Sequence, residues 1–183
     1  MIPFVRQDIV EYGVCETLTP LIQRVIANNP GPFTYTGTGT FIVGLARPGA
    51  RVAVIDPGPA DDAHLAALLD AVAGRTVSRV LVTHTHRDHA PLARPFAEAT
   101  GAAIWAASPP VAETHASGSL DETDDIAFAP DHVVTGGERL SGDGWTLEVV
   151  ATPGSVCNSI CPPSRSHNTF TIQSPSPVLV SPA

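Results

Sequence analysis

Positive charge is scarce in this 183-residue sequence. The chain carries 10 Lys and Arg residues against 18 Asp and Glu residues, which gives a net charge of −8 and a pI near 5.2. No basic block occurs along the chain. Because non-specific binding to nucleic acids and anionic membranes depends on clustered positive charge, both kinds of partner are disfavoured. We expect a small-molecule substrate, and the sequence leaves the oligomeric state open.

Long apolar runs and paired cysteines are lacking too. No stretch is long enough to cross a bilayer. Arg6 and Asp8 fall where an export signal requires its apolar region. The cysteines, Cys15, Cys157 and Cys161, are odd in number and suggest reduced thiols rather than a disulfide framework. These absences predict a cytoplasmic protein, and the length suits one domain with a sizeable core.

One stretch concentrates the chemistry of the chain. A short apolar run ends at Val82 and is followed by His84, His86, Asp88 and His89. The apolar run is typical of a buried strand, and the polar residues after it are typical of a loop at the C-terminal end of that strand. Imidazole and carboxylate are the usual ligands of zinc and similar metals. We therefore predict a loop that supplies two ligands to each of two adjacent metal ions, an arrangement that activates water.

The alternative for this segment is a polar turn that is rich in histidine without binding metal. A single histidine after a strand would favour that interpretation. Three histidines and an aspartate in HxHxDH spacing, directly after an apolar run, favour the metal site instead.

Around this loop, strand-like and helix-like patterns alternate. A turn at 47–50 lies between two apolar runs and predicts a β-hairpin, and Asp61–Ala73 has the apolar spacing of an amphipathic helix. The predicted elements are strands at 41–45 and 51–55, a helix at 61–73, a strand at 77–82, a helix at 91–100, and strands at 103–106, 131–134 and 145–150. This order predicts an α/β fold with helices on the outside of a sheet.

Three segments are harder to interpret. Residues 1–30 have spacing that fits either a helix or strands. Ser108–Pro130 is acidic and contains three prolines, which is typical of a long exposed loop with a functional role. The segment from Ser155 to Ala183 is rich in Ser and Pro, and we expect no further strand from it.

The motif His84, His86, Asp88 and His89 resembles the signature of the metallo-β-lactamase fold superfamily, position by position. The branch that looks nearest contains glyoxalase-II-like hydrolases and the beta-lactamase-like-2 ribonuclease. The resemblance implies an αβ/βα sandwich, of which this chain holds an incomplete, N-terminal part. It also implies two zinc ions, a metal-bound hydroxide as nucleophile, and a catalytic role for Asp88 in orienting that hydroxide and transferring a proton.

Two residues near the motif have open assignments. Asp56 ends a predicted strand beside Pro57 and Gly58, which is typical of a turn former. The resemblance implies instead that Asp56 orients the metal ligands, and both interpretations remain. His64 precedes the apolar stripe of the predicted helix, so we expect it to be half-exposed and leave it out of the site.

The resemblance fails after Gly154. Thr152, Pro153 and Gly154 match the family, but the family has a histidine next and this chain has Ser155. A hydroxyl is a poor substitute for imidazole on zinc. The family also has a bridging aspartate further along and a late histidine for the second metal. Here no Asp or Glu follows Glu148, and His167, the only later histidine, is not in a matching context. We therefore expect fewer than two zinc ions, a partial metallo-β-lactamase-like domain at 1–154, and a disordered or non-native tail at 155–183, with the hypothesis that the reading frame is lost near residue 154.

The function implied by the resemblance is zinc-dependent hydrolysis of a thioester or ester-type small molecule. The alternatives are a phosphodiesterase or ribonuclease of the same superfamily, and a truncated, catalytically impaired product that binds metal weakly. A partner-binding domain without enzyme activity has only the acidic loop in its favour. The sequence leaves open whether this chain is an active enzyme.

Overall fold

Two β-sheets and two helices make up the part of the chain that the computed structural model describes, residues 10–106, 128–153 and 166–173. In chain order the elements are β1 (Glu16–Thr19), β2 (Ile22–Ile26), β3 (Gly39–Val43), β4 (Arg51–Ile55), α1 (Asp62–Ala71), β5 (Thr76–Val82), α2 (Ala93–Thr100), β6 (Ala103–Ala106), β7 (His132–Val133), β8 (Arg139–Gly142), β9 (Trp145–Pro153) and β10 (Ser166–Gln173). The predicted α/β class is confirmed.

The larger sheet has seven strands in chain order, from β1 to β7. Its first four strands are antiparallel, whereas β4 to β7 run parallel. Parallel neighbours need a crossover connection, and helices α1 and α2 supply the first two. The C-terminal ends of β4, β5 and β6 therefore meet at one edge of the sheet.

The predicted hairpin is formed by β3 and β4. Phe41 pairs with Ile55 and Val43 with Ala53. The connecting turn contains Gly49 at a φ of 75°, a left-handed conformation that glycine adopts without steric cost. The hairpin places the end of β4 beside the end of β5, where the histidine-rich loop begins.

Both predicted helices exist, and their ends have local causes. The Asp61 carboxylate accepts a hydrogen bond of 2.9 Å from the backbone N–H of Ala63, which caps α1. Helix α2 begins at Ala93, two residues later than predicted, so Pro95 lies in the first turn, where a missing N–H leaves no bond unmade. Gly101 ends α2 with a φ of 72°.

Apolar residues cover both faces of the larger sheet. Successive strand residues point to opposite faces of a sheet, and the side chains of β4 alternate between the two faces in this way. Val52 and Val54 pack in a cluster with residues of α1 and α2. Ala53 and Ile55 pack in a second cluster with residues of the smaller sheet, whose order is β10-β9-β8. The helices and the small sheet therefore enclose the large sheet between them.

The structure decides one open assignment and contradicts one expectation. The undecided N-terminal part forms the β1–β2 hairpin. The expectation of no strand after Ser155 is wrong, because Ser166–Gln173 pairs with β9 along its full length. The run Thr169–Ile172 consists of β-branched and aromatic residues, which favour extended backbone. The domain boundary at residue 154 stays a prediction.

The acidic loop predicted at Ser108–Pro130 lies almost entirely outside the described residues. Within the described ranges, neither helix is long and apolar enough to cross a membrane.

Packing on the helix-covered face predicts that replacing a buried phenylalanine destabilises the chain more than replacing an exposed one. Phe96 on α2 is fully buried, whereas Phe33 is 68% exposed. We expect Phe96→Ala to lower the free energy of unfolding by about 3–5 kcal/mol, because it removes a buried ring and leaves a cavity. The matched change Phe33→Ala should cost less than about 0.5 kcal/mol. Urea denaturation of both variants measures the difference, and equal losses would contradict this packing.

Candidate metal centre

The predicted ligands lie where β4 and β5 end. Ile55 is the last residue of β4 and pairs with Leu81 of β5. The backbone N–H of Asp56 donates a 2.8 Å hydrogen bond to the carbonyl of Leu81. Asp56 therefore stands beside Thr83, the first residue after β5. The carboxyl ends of parallel strands are a common location for ligand sites in such sheets.

The histidine-rich loop brings its three imidazoles together. The ring centre of His84 lies 4.5 Å from that of His86 and 4.2 Å from that of His89. The Nε2 atom of His89 lies 3.1 Å from Oδ2 of Asp88. All four residues predicted as ligands thus form one cluster, and their assignment as metal ligands stays a prediction.

The Asp56 carboxylate ties the start of this loop to the end of β4. One oxygen, Oδ1, accepts a 2.8 Å bond from the backbone N–H of Thr83. The other oxygen, Oδ2, accepts a 2.7 Å bond from the Thr83 hydroxyl and lies 3.0 Å from Nδ1 of His89. Asp56 is 6% exposed. These bonds satisfy a buried carboxylate, as burial of charge requires.

The same network orients His84. The Thr83 hydroxyl lies 2.8 Å from Nδ1 of His84, and its only proton is donated to Asp56. The hydroxyl oxygen must therefore accept from His84, which places a proton on Nδ1 and the lone pair of the neutral ring on Nε2. Hydrogen bonding at one ring nitrogen is the usual way in which proteins orient a histidine that binds metal through the other.

Both interpretations of Asp56 fit its geometry. Its φ of 51° lies in the left-handed region that Asp tolerates in turns. Its side chain also holds Thr83 and His89, which is what an orienting role requires. The residue turns the chain and anchors the loop at once.

Asp88 is oriented by a residue that sequence patterns did not indicate. The Thr38 hydroxyl donates a 2.8 Å hydrogen bond to Oδ2 of Asp88. Thr38 is in turn held by Asn29, whose side chain accepts from the backbone N–H of Thr38 at 2.8 Å and donates to its hydroxyl at 3.1 Å. Nothing in the local sequence around Thr38 indicates this contact, because 50 residues separate it from Asp88.

The charges of His89 and Asp88 depend on each other. Burial disfavours a charged His89, but hydrogen bonds and attraction from Asp56 and Asp88 outweigh burial and raise its pKa to about 10. Burial likewise opposes a charged Asp88, but the hydrogen bond and charge of His89, together with the Thr38 hydroxyl, lower its pKa to about 2. In the metal-free chain the pair is therefore ionic at neutral pH.

The donor atoms suit a metal, although the cluster is not a closed site. Among the described residues, no three His, Cys, Asp or Glu side chains already converge as a metal cage. The Oδ1 atom of Asp88 is buried and has no hydrogen-bond partner within those same residues. A buried carboxylate oxygen without a donor is costly unless a cation satisfies it. Imidazoles and a carboxylate, the groups that this cluster contains, are among the donors that zinc prefers.

Three residues outside the predicted ligand set were also raised by the sequence. His64 is 2% exposed and therefore buried, not half-exposed as expected. The reason is tertiary, since α1 packs this face against the sheet. Ser155 lies outside the described residues, and His167 belongs to β10.

The pKa of His89 predicts how stability varies with pH in the metal-free chain. Its folded pKa of about 10 exceeds its ordinary value of 6.5, so the folded state binds more protons between these values. Its contribution is complete below pH 6.5 and is lost as the pH rises through about 10. We expect the free energy of unfolding, measured by urea denaturation with a chelator present, to fall across this alkaline window.

Asp56→Asn should reduce that alkaline loss, because it removes one of the two carboxylates that raise the pKa of His89. Asp70→Asn makes the same change on an exposed position of α1 and serves as the control. An identical alkaline loss in both variants would show that Asp56 does not hold His89.

Comparison with known proteins gives an independent view of the chain. A sequence model of the metallo-beta-lactamase superfamily matches residues 40–163, which is more than half of the chain. The chain is 28% identical over 146 residues to the beta-lactamase-like protein 2 homolog of Caenorhabditis elegans, covering 78% of this chain and 45% of that protein. It is 31% identical over 153 residues to an atrochrysone carboxyl ACP thioesterase of Aspergillus fumigatus, covering 80% and 42%.

The fold is similar to solved structures as well. A beta-lactamase domain protein from Burkholderia ambifaria superposes with a TM-score of 0.61 at 17% identity, covering 90% of this chain and 53% of that one. The chain spans less than half the length of the curated relatives described above. The expected incomplete αβ/βα sandwich is confirmed by these matches, and the chain belongs to the metallo-beta-lactamase superfamily.

Proposed function

We propose that the chain carries the metal-binding part of a hydrolase that uses zinc to cleave thioester or ester-type small molecules. The observation that carries the proposal is the cluster of three imidazoles and the Asp88 carboxylate, whose Oδ1 atom is buried and has no hydrogen-bond partner among the described residues. The cluster lies at the carboxyl edge of the sheet, held by strands whose positions are fixed by a core on both faces. Rigid elements of this kind give a site the precision that metal binding needs.

His84 and His86 would hold one metal ion, and Asp88 and His89 would belong to a second. A bound zinc ion polarises the reacting carbonyl and lowers the pKa of water. The residues of the chain orient this centre: Asp56 holds Thr83 and Nδ1 of His89, and Thr83 holds Nδ1 of His84. In the neutral ring of His84 the lone pair is then on Nε2, whereas His89, whose two ring nitrogens face Asp56 and Asp88, would have to release its Nε2 proton to bind a metal.

Asp88 is the candidate for proton transfer. Its pKa of about 2 keeps the carboxylate charged at neutral pH. Its Oδ2 atom is occupied by Thr38 and His89, while Oδ1 has no hydrogen-bond partner among the described residues. A charged oxygen of this kind can accept a proton from a water molecule or orient it.

The substrate class is supported by similarity and by surface chemistry. Several similar proteins are named atrochrysone carboxyl ACP thioesterases, including one from Passalora fulva that is 38% identical over 76 residues, 40% of this chain and 22% of that protein. The net charge of −8 disfavours a polyanion such as RNA. Phe33 and Tyr35, 68% and 59% exposed, lie in the segment that leads to Thr38 and offer apolar contact to an acyl group.

A second candidate is a catalytically impaired protein that binds metal weakly. The observation in its favour is Ser155, which occupies the position where the family has a histidine after Thr-Pro-Gly. A serine hydroxyl is a weak zinc ligand. Metal retention by the purified chain distinguishes the two candidates.

We expect the purified chain to retain zinc in elemental analysis after dialysis, and to lose it to a strong chelator. His84→Ala should lower the retained zinc, because it removes a ligand. His132→Ala serves as the control, since His132 is exposed and stacks on Trp105 instead of joining the cluster. About two ions per chain support the hydrolase, about one or fewer supports the impaired protein, and equal retention in both variants would exclude this cluster as the binding site.

We expect the zinc-loaded chain to hydrolyse an acyl thioester faster than an activated phosphodiester. Asp88→Asn should reduce thioester hydrolysis by at least about 10²-fold, because it removes the carboxylate proposed for proton transfer. Asp143→Asn, which makes the same change in the β8–β9 turn, should leave the rate unchanged. Faster phosphodiester cleavage would favour a nuclease-type hydrolase. If both variants keep full activity, Asp88 has no catalytic role.

A further inference from the structure

A buried histidine lies behind the metal centre, outside the histidine-rich loop. His64 on α1 is 2% exposed, and Thr40 on β3 is fully buried. Nε2 of His64 lies 3.0 Å from the Thr40 hydroxyl oxygen. That hydroxyl donates a 2.7 Å hydrogen bond to the backbone carbonyl of Asp56. Helix α1, strand β3 and the loop after β4 are thus connected through three polar groups.

The direction of these hydrogen bonds follows from counting protons. The Thr40 hydroxyl has one proton, and it is donated to Asp56. Its oxygen must therefore accept from Nε2–H of His64. Burial lowers the pKa of His64, against opposing effects of the Asp61 carboxylate and the Pro57 carbonyl, which favours the neutral ring. The neutral ring with its proton on Nε2 fits the contact with Thr40, and the buried Nδ1 atom has no hydrogen-bond partner among the described residues.

Asp56 needs backbone support because its conformation is unfavourable. Its φ of 51° lies in the left-handed region, which Asp can adopt in a turn but which, unlike glycine, it enters at a steric cost. The carbonyl that Thr40 binds belongs to this strained residue. A shift of the Asp56 backbone would move the carboxylate that meets Thr83 and His89.

The His64 ring also packs against the loop that follows Asp56. A Cβ atom at Gly58 would lie 2.9 Å from Cδ2 of His64 and 3.0 Å from Nε2, so only glycine leaves room for the ring. The N–H of Gly58 donates to the carbonyl of His89 at 3.1 Å. The ring therefore contacts a loop that is bonded directly to a predicted metal ligand.

We infer that His64 is a positioning residue for the metal centre: through Thr40 it holds the backbone of Asp56, and Asp56 holds the ring of His89 directly and the ring of His84 through the Thr83 hydroxyl. The link to metal binding rests on the proposed function. The link to the ring of His89 does not, since the hydrogen bond between Asp56 and His89 exists in the metal-free chain.

The first test uses the metal-free chain labelled with ¹⁵N-histidine. The ring N–H of His89 that is bonded to Asp56 should exchange slowly with solvent and be visible by NMR. We expect His64→Ala to speed this exchange at least about 10-fold, because Asp56 loses its support. Thr40→Val should have the same effect, and the double variant should be no worse than either, since residues in one chain of contacts are not additive.

Two further variants separate positioning from general destabilisation. His64→Gln retains an N–H near the position of Nε2, so it should restore slow exchange of the His89 ring proton. Leu68→Ala truncates a fully buried residue of the same helix that belongs to the apolar cluster. It should lower the free energy of unfolding and leave the ring exchange unchanged. Equal acceleration in Leu68→Ala and His64→Ala would overturn the inference.

The second test measures zinc affinity by competition with a chromophoric chelator. We expect His64→Ala and Thr40→Val to weaken zinc binding about 10-fold or more, which is the usual effect of losing a group that orients a ligand. His64→Gln and Leu68→Ala should bind zinc as the unchanged chain does. Undiminished affinity in His64→Ala would overturn the metal part of the inference. If neither the unchanged chain nor any variant binds zinc, but ring exchange changes as expected, the proposed function is refuted and the positioning role remains.

Discussion

The buried carboxylate of Asp56 is the interaction on which the centre depends. It accepts hydrogen bonds from the backbone and hydroxyl of Thr83 and contacts Nδ1 of His89. A buried charge is tolerated only when donors surround it, so these groups are held in place by the cost of leaving the carboxylate unsatisfied. The ends of β4 and β5 and two imidazole rings are positioned together for that reason.

The sheet determines where this carboxylate can act. Because β4 and β5 are parallel and adjacent, the residues that follow them emerge side by side at one edge. Apolar clusters on both faces keep the strands from shifting. The reactive groups can then lie on loops, where they are accessible, while their positions are set by a rigid scaffold.

Metal binding at the proposed centre would compete with protonation for the same groups. His89 lies between Asp56 and Asp88, and these two carboxylates raise its pKa to about 10. A metal needs the neutral ring, so binding must release a proton, and its affinity depends on pH. The carboxylates that would orient the proposed ligands therefore also stabilise the metal-free chain. A weak ligand set, as Ser155 implies, would shift this competition toward the proton.

Local sequence determined the hairpin, both helices and the histidine-rich loop, because periodicity, capping residues and ligand spacing are properties of neighbouring residues. Only the tertiary structure decided the contacts of the centre. Thr38 meets Asp88 across 50 positions, and His64 meets Thr40 across 24. The tertiary structure also pairs β10 with β9, in a segment whose composition indicates no strand. Contacts between distant residues depend on how strands align, and no local pattern encodes that alignment.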